Sequence, residues 1–307
     1  MSGASPREVI FILGMGRSGT SALARILSLC GCSLPESLKE PNDANPSGFW
    51  EPLDALKLND EFLLRHRATY FDPTLRLQGE LPFPQVEVER YIGQIKAFLG
   101  GCPTGSPLVI KDPRITALFD FWLQAARQAD LRVKVIVPIR NPQEVAASLA
   151  ARVEAPLELW HALWLKYNLL AELYSRSLPR VFVEYSSLLG DWRLQVARVS
   201  RSLNVTLATD NHSATGVDVF LNRDLHRQRW SGSIPDVFGY SWVSDTYTIL
   251  TEATRDHPLE TARLDEILRA YRVCERAFRV SLDAARSKLP ARAPDDGIIT
   301  WSPESST

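Results

Sequence analysis

The chain has 307 residues, of which 45% are hydrophobic and 23% charged. This composition is typical of a soluble globular protein and excludes a disordered chain, a collagen and a coiled-coil rod. The 35 Lys and Arg residues against 36 Asp and Glu residues give a formal net charge of −1. The overall charge therefore indicates neither a nucleic acid nor an anionic membrane as a partner.

Cysteine spacing and hydropathy exclude further classes of protein. The four cysteines form neither a disulfide framework nor a zinc-ligand array, and we expect no metal at the lone pair Cys30 and Cys32. No apolar run approaches the roughly 20 residues of a membrane-spanning helix. Residues 1–7 are too polar for a signal peptide. We therefore expect a reduced, soluble, cytoplasmic protein.

The predicted elements begin with a strand at residues 9–13, a continuous apolar run typical of a strand buried on both faces of a parallel sheet. A glycine-rich turn follows, and then a helix at 21–29 and a proline-rich loop at 35–52. The later predicted strands lie at 108–111, 133–139 and 180–185, and the later predicted helices at 53–64, 86–99, 114–129, from 142, at 157–177 and 187–203, and in parts of 243–255 and 260–288. Strands that alternate with helices predict an α/β fold with a parallel sheet and ligands at its carboxyl edge.

The turn after the first strand has the pattern of a phosphate-binding loop. Its sequence is Gly14-Met-Gly-Arg-Ser-Gly-Thr-Ser21. Glycines allow successive N–H groups to point inward, and the following helix N-terminus adds positive potential. The candidate phosphate ligands are Gly14, Gly16, Arg17, Ser18, Gly19, Thr20 and Ser21. The alternative is an ordinary glycine turn within a sheet.

This loop lacks two features of a Mg²⁺-dependent NTPase. In the pattern G-x-x-x-x-G-K-[ST], the lysine position is Thr20 here, so the usual contact with the β- and γ-phosphates is missing. The third strand ends at Arg140 rather than at a magnesium-binding aspartate. Arg17 supplies a cation from within the loop. The sequence therefore predicts a phosphate ligand that is bound without Mg²⁺.

A second anion site is predicted at Arg140 and Ser148. Arg140 follows the third strand, and Ser148 lies eight positions later on the next helix. A guanidinium and a hydroxyl can bind one phosphate from two sides. Between them, Asn141 is the predicted N-cap of the helix and Glu144 its capping-box partner. Taken alone, Arg140 and Ser148 are equally consistent with residues that have no ligand.

These motifs resemble those of the sulfotransferases that use 3′-phosphoadenosine-5′-phosphosulfate (PAPS). The glycine-rich loop is similar to their 5′-phosphosulfate loop, and the segment from Arg140 to Ser148 is similar to their 3′-phosphate motif. Residues 183–188 resemble a segment whose tyrosine, here Tyr185, contacts adenine in some members. The segment 221–229 resembles a basic loop that can close over the nucleotide, which adds Arg223 and Arg227 to the candidates. The similarity runs from about residue 9 to residue 203.

The resemblance implies a P-loop-like parallel sheet with helices on both sides, a three-layer α/β/α arrangement. It implies transfer of a sulfuryl group from PAPS, without metal, to a hydroxyl acceptor, for which we expect a carbohydrate, a glycolipid or another small molecule. The bacterial carbohydrate-type branch fits better than the phenol and steroid enzymes, which carry lysine where this chain has Arg17. Residues 1–289 would form one domain, with acceptor-binding parts at about 35–105 and 205–288, and 290–307 a flexible tail.

The proposed chemistry needs a proton acceptor and a cation near the leaving oxygen. Lys111, at the end of the second strand, is the candidate cation; the alternative is an exposed lysine that ends a strand. The resemblance favours Glu51 as the base, because carbohydrate-type members carry a glutamate in that region. Asp112 is the competing candidate. The histidines lack a motif context, and we expect them to be structural or exposed.

Aromatic residues cluster in the irregular segments and either line an acceptor pocket or belong to the core. They are Trp50, Tyr70, Phe71, Trp230, Phe238, Tyr240 and Trp242. Two other functions remain open from the sequence. One is a Mg²⁺-dependent P-loop kinase of small molecules, and the other is a non-catalytic nucleotide-binding module.

Overall fold

The computed structural model describes residues 7–42, 45–79, 83–221 and 229–288. Within these residues a parallel four-stranded sheet has the order β2-β1-β3-β4. The strands are β1 at Glu8–Ile12, β2 at Leu108–Ile110, β3 at Arg132–Ile139 and β4 at Arg180–Glu184. The register pairs Val9 with Leu108 on one side and with Val133 on the other. β1 therefore lies inside the sheet, as its continuous apolar sequence predicts.

Helices connect the strands and follow the last one. In chain order they are α1 (Thr20–Leu29), α2 (Leu53–Arg65), α3 (Gln85–Gly101), α4 (Phe119–Gln128), α5 (Pro142–Ala150), α6 (Leu157–Ser175), α7 (Tyr185–Gly190), α8 (Trp192–Leu203), α9 (Asn211–Leu221), α10 (Trp242–Ala253) and α11 (Thr261–Lys288). Short 3₁₀ helices occupy Arg76–Gln78 and Pro113–Leu118.

Two hydrophobic clusters cover the two faces of the sheet. Along β1, Val9 and Phe11 belong to the cluster that includes side chains from α3, α4, α6 and α10. The intervening Ile10 and Ile12 belong to the cluster that includes side chains from α1, α8 and α9. Alternate residues of a strand point to opposite faces, so the sheet lies between two helical layers. The predicted three-layer α/β/α fold is confirmed.

Two predicted helices are wrong in detail, and an aspartate caps a new helix start at each of them. The helix predicted at 114–129 begins as a 3₁₀ helix, where the Asp112 carboxylate accepts a hydrogen bond from the Arg114 backbone. The helix predicted at 187–203 is divided at Asp191, whose side chain accepts from the Leu194 N–H and starts α8. A carboxylate that satisfies free N–H groups makes a new helix start favourable at such positions.

Helix α9 lies in a segment that the sequence predicts as turns. Its intrinsic helix propensity is low, since it contains Gly216 together with Asn211, Ser213 and Thr215. It forms because Val217 and Phe220 are buried in the same cluster as α1. A Cβ added at Gly216 would lie 3.2 Å from the side chain of Leu29, which shows how closely α1 and α9 approach. Tertiary packing overrides propensity here.

The described residues end at residue 288. The predicted boundary at residue 289 and the predicted tail at 290–307 lie outside the described residues. Of the helices within the described ranges, none is long and apolar enough to cross a membrane. Cys30 and Cys32 are buried free thiols, and burial raises their pKa values to about 11 and about 12. Both thiols are therefore protonated at neutral pH.

A buried lysine of α6 fixes the segment that follows α2. Lys166 is 2% exposed, and its Nζ donates a hydrogen bond to the Asp72 carbonyl at 2.7 Å. The hydroxyl of the neighbouring Tyr167 donates to the Tyr70 carbonyl at 3.0 Å. Burial lowers the pKa of Lys166 from 10.5 to about 8, although the carboxylates of Asp72 and Glu275 oppose the shift. The charged lysine therefore lies in an environment that disfavours its charge.

We predict that Lys166 makes the stability of the protein depend on pH. Between pH 8 and 10.5 the unfolded chain keeps the Lys166 proton that the folded chain has lost, so this group makes the free energy of unfolding rise with pH. At about 1.36 kcal/mol per pKa unit, the full contribution is about 3 kcal/mol. Lys166→Met removes it. Urea denaturation from pH 7 to pH 10 should therefore show wild type gaining stability relative to the variant, and a constant difference would contradict this.

Candidate active site

The glycine-rich loop joins β1 to α1 and has an unusual backbone. Gly14, Arg17 and Gly19 have φ angles of +108°, +69° and +90°. Helix α1 begins at Thr20 with no side-chain cap and no acidic residue in its first turn. The fully buried Ser18 hydroxyl has no hydrogen-bond partner among the described residues. Free helix N–H groups and an unpartnered hydroxyl fit a bound phosphate or sulfate group.

Close contacts from other elements define the shape of this loop. Thr116, on the 3₁₀ helix after β2, accepts a hydrogen bond from the Gly14 N–H at 2.9 Å. A Cβ added at Gly16 would lie 2.2 Å from the Tyr70 hydroxyl oxygen, and one added at Gly19 would lie 2.3 Å from the Tyr185 ring. Two tyrosines therefore pack directly on the loop backbone, and only glycine fits beneath them.

Both predicted anion motifs meet at this loop. The Arg17 Nε donates to the Ser148 Oγ at 3.0 Å, and the Arg140 Nη1 donates to the Arg17 carbonyl at 3.0 Å. The Arg140 guanidinium also stacks on the Tyr185 ring at 4.6 Å. Burial, followed by the charges of Arg152 and Arg140, lowers the pKa of Arg17 to about 10. Arg17 remains charged at neutral pH, and an anion bound beside these arginines would relieve their repulsion.

Glu144 has contacts that its predicted place in a capping box does not indicate. Its carboxylate accepts from the Arg140 Nε at 2.8 Å and from the Trp230 backbone N–H at 3.1 Å. The sequence predicts Glu144 as a capping-box residue, and its spacing of four from Arg140 is the only sequence signal for the ion pair. Glu144 thus connects the Arg140 site to the segment that begins at Arg229. The candidates Arg223 and Arg227 lie outside the described residues.

Glu51 and Lys111 form a buried pair beside the loop. Lys111 is 1% exposed, and its Nζ donates to the Glu51 Oε1 at 2.7 Å and to the Phe49 carbonyl at 2.8 Å. The Ser21 hydroxyl donates to the same carbonyl at 3.1 Å. Burial lowers the pKa of Lys111, and Glu51 opposes this shift. Lys111 is therefore not the exposed strand-end lysine that the sequence left open.

The backbone that carries Glu51 is strained. Gly48 has φ +90°, and Trp50, directly before Glu51, has φ +57°. A bulky residue in the left-handed region costs about 1–2 kcal/mol. The Trp50 ring is held by the Arg25 guanidinium at 4.6 Å and donates from its Nε1 to the Ser47 carbonyl at 3.1 Å. The loop is thus held in the conformation that directs the Glu51 side chain to Lys111.

Asp112 has a different environment, although it is adjacent to Lys111. It is 0% exposed, and its carboxylate accepts from the Asn59 Nδ2 at 2.7 Å, the Arg114 Nη1 at 2.9 Å and the Arg114 N–H at 3.1 Å. The Arg114 Nε in turn contacts Asp60. These contacts start the 3₁₀ helix and connect it to α2. The Asp112 carboxylate is therefore occupied by protein donors.

Three spaces lie at or near the loop, and each shares lining residues with another. The inner cavity, of about 270 Å³, is lined by Gly16, Arg17, Thr20, Ser21, Lys39, Phe49, Glu51, Tyr70, Phe71, Lys111, Pro113, Arg114, Leu149, Arg152 and Val153. A middle pocket of about 80 Å³ shares Arg17, Thr20 and Ser21 with it and adds Arg140 and Tyr185. An outer cleft of about 680 Å³ lies at the carboxyl ends of β3 and β4 and shares Arg140 with the middle pocket.

The aromatic candidates divide between these spaces and the core. Tyr70 and Phe71 line the inner cavity, and Trp230 lines the outer cleft. Trp242 is buried in the core, and Tyr240 stacks on it at 4.8 Å. Phe49, which is not among the aromatic candidates from the sequence, also lines the inner cavity.

We predict that Gly16→Ala destabilises the protein by about 1–3 kcal/mol, the usual cost of overpacking, because its Cβ meets the Tyr70 hydroxyl. The φ of Gly16 is not positive, so the effect is steric. Tyr70→Phe removes the nearest atom and should recover most of the loss in the double variant, as thermal denaturation would show. Gly31→Ala is the control, since Gly31 has φ +102° with nothing within 4 Å. The stability that Gly31→Ala loses should not be recovered by Tyr70→Phe. If Tyr70→Phe also fails to recover the stability of Gly16→Ala, the predicted contact between residue 16 and the Tyr70 hydroxyl is wrong.

Comparisons with known proteins return no matching family model and no matching curated protein. Solved structures do match. The sulfotransferase domain of the Synechococcus PCC 7002 olefin synthase is 16% identical, with a TM-score of 0.43 over 88% of this chain and 96% of that one. A Mycobacterium tuberculosis H37Rv sulfotransferase is 16% identical (TM-score 0.39; 79% and 77% covered), and the sulfotransferase domain of the curacin biosynthetic pathway is 14% identical (0.41; 86% and 97%). These three structures are described as sulfotransferases or sulfotransferase domains.

Proposed function

We propose that this protein is a sulfotransferase that moves a sulfuryl group from PAPS to a hydroxyl acceptor such as a carbohydrate or glycolipid. One observation carries the proposal. The arginines and the serine of two distant motifs meet at the phosphate loop, and the Glu51–Lys111 pair is connected to the start of α1 through the Phe49 carbonyl and Ser21. Arg17, Glu51 and Lys111 line the same cavity, so a donor and an acceptor could meet there.

Donor binding is assigned to the loop and the residues around it. The loop N–H groups, Ser18, Thr20, Ser21 and Arg17 would bind the 5′-phosphosulfate. The unpartnered Ser18 hydroxyl and the uncapped start of α1 support this assignment. These groups are fixed before the ligand arrives, so binding would need little rearrangement.

The other end of the nucleotide is assigned to the Arg140 side. Arg140 and Ser148 would bind the 3′-phosphate, and Tyr185 would contact the adenine. The position of Arg140 between the middle pocket and the outer cleft supports this arrangement. Arg223 and Arg227 remain proposed nucleotide ligands through the sequence resemblance alone.

In the proposed reaction, the acceptor oxygen forms a bond to sulfur while the bond from sulfur to the bridging phosphate oxygen breaks. Glu51 takes the proton of the acceptor hydroxyl. Lys111 stabilises the negative charge that develops on the bridging oxygen, and Arg17 with the loop N–H groups stabilises the sulfuryl oxygens. Positioning and electrostatics account for most of such a rate enhancement, and a base within reach contributes roughly 10²–10⁴-fold.

The contacts of the two carboxylates support Glu51 rather than Asp112 as the base. Glu51 lines the inner cavity next to the loop. Asp112 accepts hydrogen bonds from Asn59 and Arg114 and holds the start of a helix. Both oxygens of Asp112 therefore accept hydrogen bonds from protein donors, whereas Glu51 accepts its hydrogen bond from Lys111 through Oε1, and its Oε2 lies 3.9 Å from the Lys39 Nζ.

We predict that Arg140→Ala weakens the binding of adenosine 3′,5′-bisphosphate by about 1.5–3 kcal/mol, the scale of a hydrogen bond to a charged group. Ser148→Ala should weaken it less. Neither change should matter much for adenosine 5′-phosphate, which lacks the 3′-phosphate. Titration calorimetry in EDTA measures all of these affinities and separates this protein from a Mg²⁺-dependent kinase. Arg201→Ala, an exposed arginine of α8, is the control; equal losses for both nucleotides would overturn the assignment.

We predict that Glu51→Gln lowers sulfate transfer at least about a hundredfold while nucleotide affinity stays within a few-fold, because glutamine cannot take the proton. The variant leaves the Lys111 charge without its carboxylate, so it should also unfold more easily. Transfer rates are therefore compared at saturating labelled donor. Each rate is divided by the concentration of folded, nucleotide-binding protein, which calorimetry measures.

Asp112→Asn provides the matched comparison. This variant should unfold more easily than wild type, while its rate of sulfate transfer per folded molecule should change little. A normal rate for Glu51→Gln together with an inactive but nucleotide-binding Asp112→Asn would transfer the role of base to Asp112.

A further inference from the structure

The entrance of the inner cavity combines cations with apolar side chains. Lys39 and Arg152 both line the cavity, and both retain contact with solvent. Phe71 and Val153, which line the same cavity, are 40% and 41% exposed. An entrance with two cations and two exposed apolar groups is complementary to an amphiphilic anion.

Cations outnumber carboxylates among the described residues that line this cavity. Glu51 is the single carboxylate among the described lining residues, and it pairs with Lys111. The Arg114 guanidinium contacts two aspartates, Asp60 and Asp112. Arg17 is assigned to the donor. The lining therefore has an excess of positive charge, to which Lys39 and Arg152 contribute without a part in the transfer step.

Lys39 is held close to the proposed base. Its backbone N–H donates to the Glu51 carbonyl at 2.8 Å. Its Nζ lies 3.9 Å from the Glu51 Oε2 and 4.2 Å from the centre of the Phe49 ring. A group that contacts this ammonium ion therefore lies only a few bonds from a hydroxyl that contacts Glu51.

Arg152 also adds positive potential to this cavity. It is exposed, and its charge is among the causes that lower the pKa of Arg17. Repulsion between Arg152 and Arg17 weakens when a second anion enters the cavity. The cavity, at about 270 Å³, is also near the lower end of the 300–1,000 Å³ that small-molecule sites occupy. It suits a small acceptor or the end of a larger one.

We propose that the acceptor is a hydroxy acid: a molecule with an apolar or aromatic body whose carboxylate is bound by Lys39 and Arg152 while its hydroxyl faces Glu51. This inference rests on the proposed function: it keeps the hydroxyl acceptor and replaces the carbohydrate or glycolipid with an anionic compound. Uncharged sugars and neutral lipids would lack the group that these two cations select.

The test compares each acid with its own neutral ester. The probes are 3-(4-hydroxyphenyl)propanoate and 3-hydroxyoctanoate, each against its methyl ester. Their binding is measured by calorimetry or ligand-observed NMR, with and without adenosine 3′,5′-bisphosphate. At least one acid should bind about tenfold or more tightly than its ester. Each of Lys39→Gln and Arg152→Gln should reduce this preference by about three- to tenfold, the range for partly exposed charge-assisted contacts.

The matched control is the double variant Lys57→Gln, Arg201→Gln, which neutralises an exposed lysine and an exposed arginine elsewhere on the surface. It should keep the preference for the acid. Equal binding of acid and ester, equal losses for both in the cavity variants, or no binding of any acid at 10 mM would overturn the inference. A protein that does not bind the bisphosphate would remove the proposed function instead, and the comparison of acid with ester in the absence of nucleotide would still decide this inference.

Discussion

The site depends on the ion pair between Glu51 and the ammonium group of Lys111, which is buried at the end of β2. A charge this deep needs an ionic partner and further hydrogen bonds, and removing one member of such a pair costs about 3–5 kcal/mol. Glu51 supplies the partner and the Phe49 carbonyl supplies a further bond. Ser21 donates to the same carbonyl, so the conformation of residues 49–51 is coupled to the start of α1.

The phosphate loop is shaped as much by its neighbours as by its own glycines. Tyr70 and Tyr185 lie against Gly16 and Gly19, and Thr116 bonds to Gly14. Tyr70 is in turn anchored through its carbonyl by Tyr167 of α6. Helices and loops from three parts of the chain thus hold the loop in one conformation. Such support from neighbouring side chains limits how far the loop backbone can move.

Positive charge is concentrated along this edge of the sheet, although the whole chain is nearly neutral. Arg140 and Lys111 are buried there, and Arg17 is half-buried. Arg140 pairs with Glu144 and Lys111 with Glu51, whereas the Arg17 guanidinium donates to the neutral Ser148 hydroxyl. Burial strengthens the interaction of each of these charges with an incoming anion, because less water screens it.

The sequence by itself determined the alternation of strands and helices and the position of the phosphate loop, because both depend on neighbouring residues: apolar runs, glycine spacing and the start of α1. It also suggested that Arg17, Arg140 and Ser148 belong together. The tertiary structure decided that Glu51 pairs with Lys111, that protein donors occupy Asp112, and that Glu144 links Arg140 to Trp230. It also decided that α9 forms and that Lys39 and Arg152 share a cavity. These contacts join residues far apart in the chain, and whether such residues meet depends on the packing of loops and helices around the sheet.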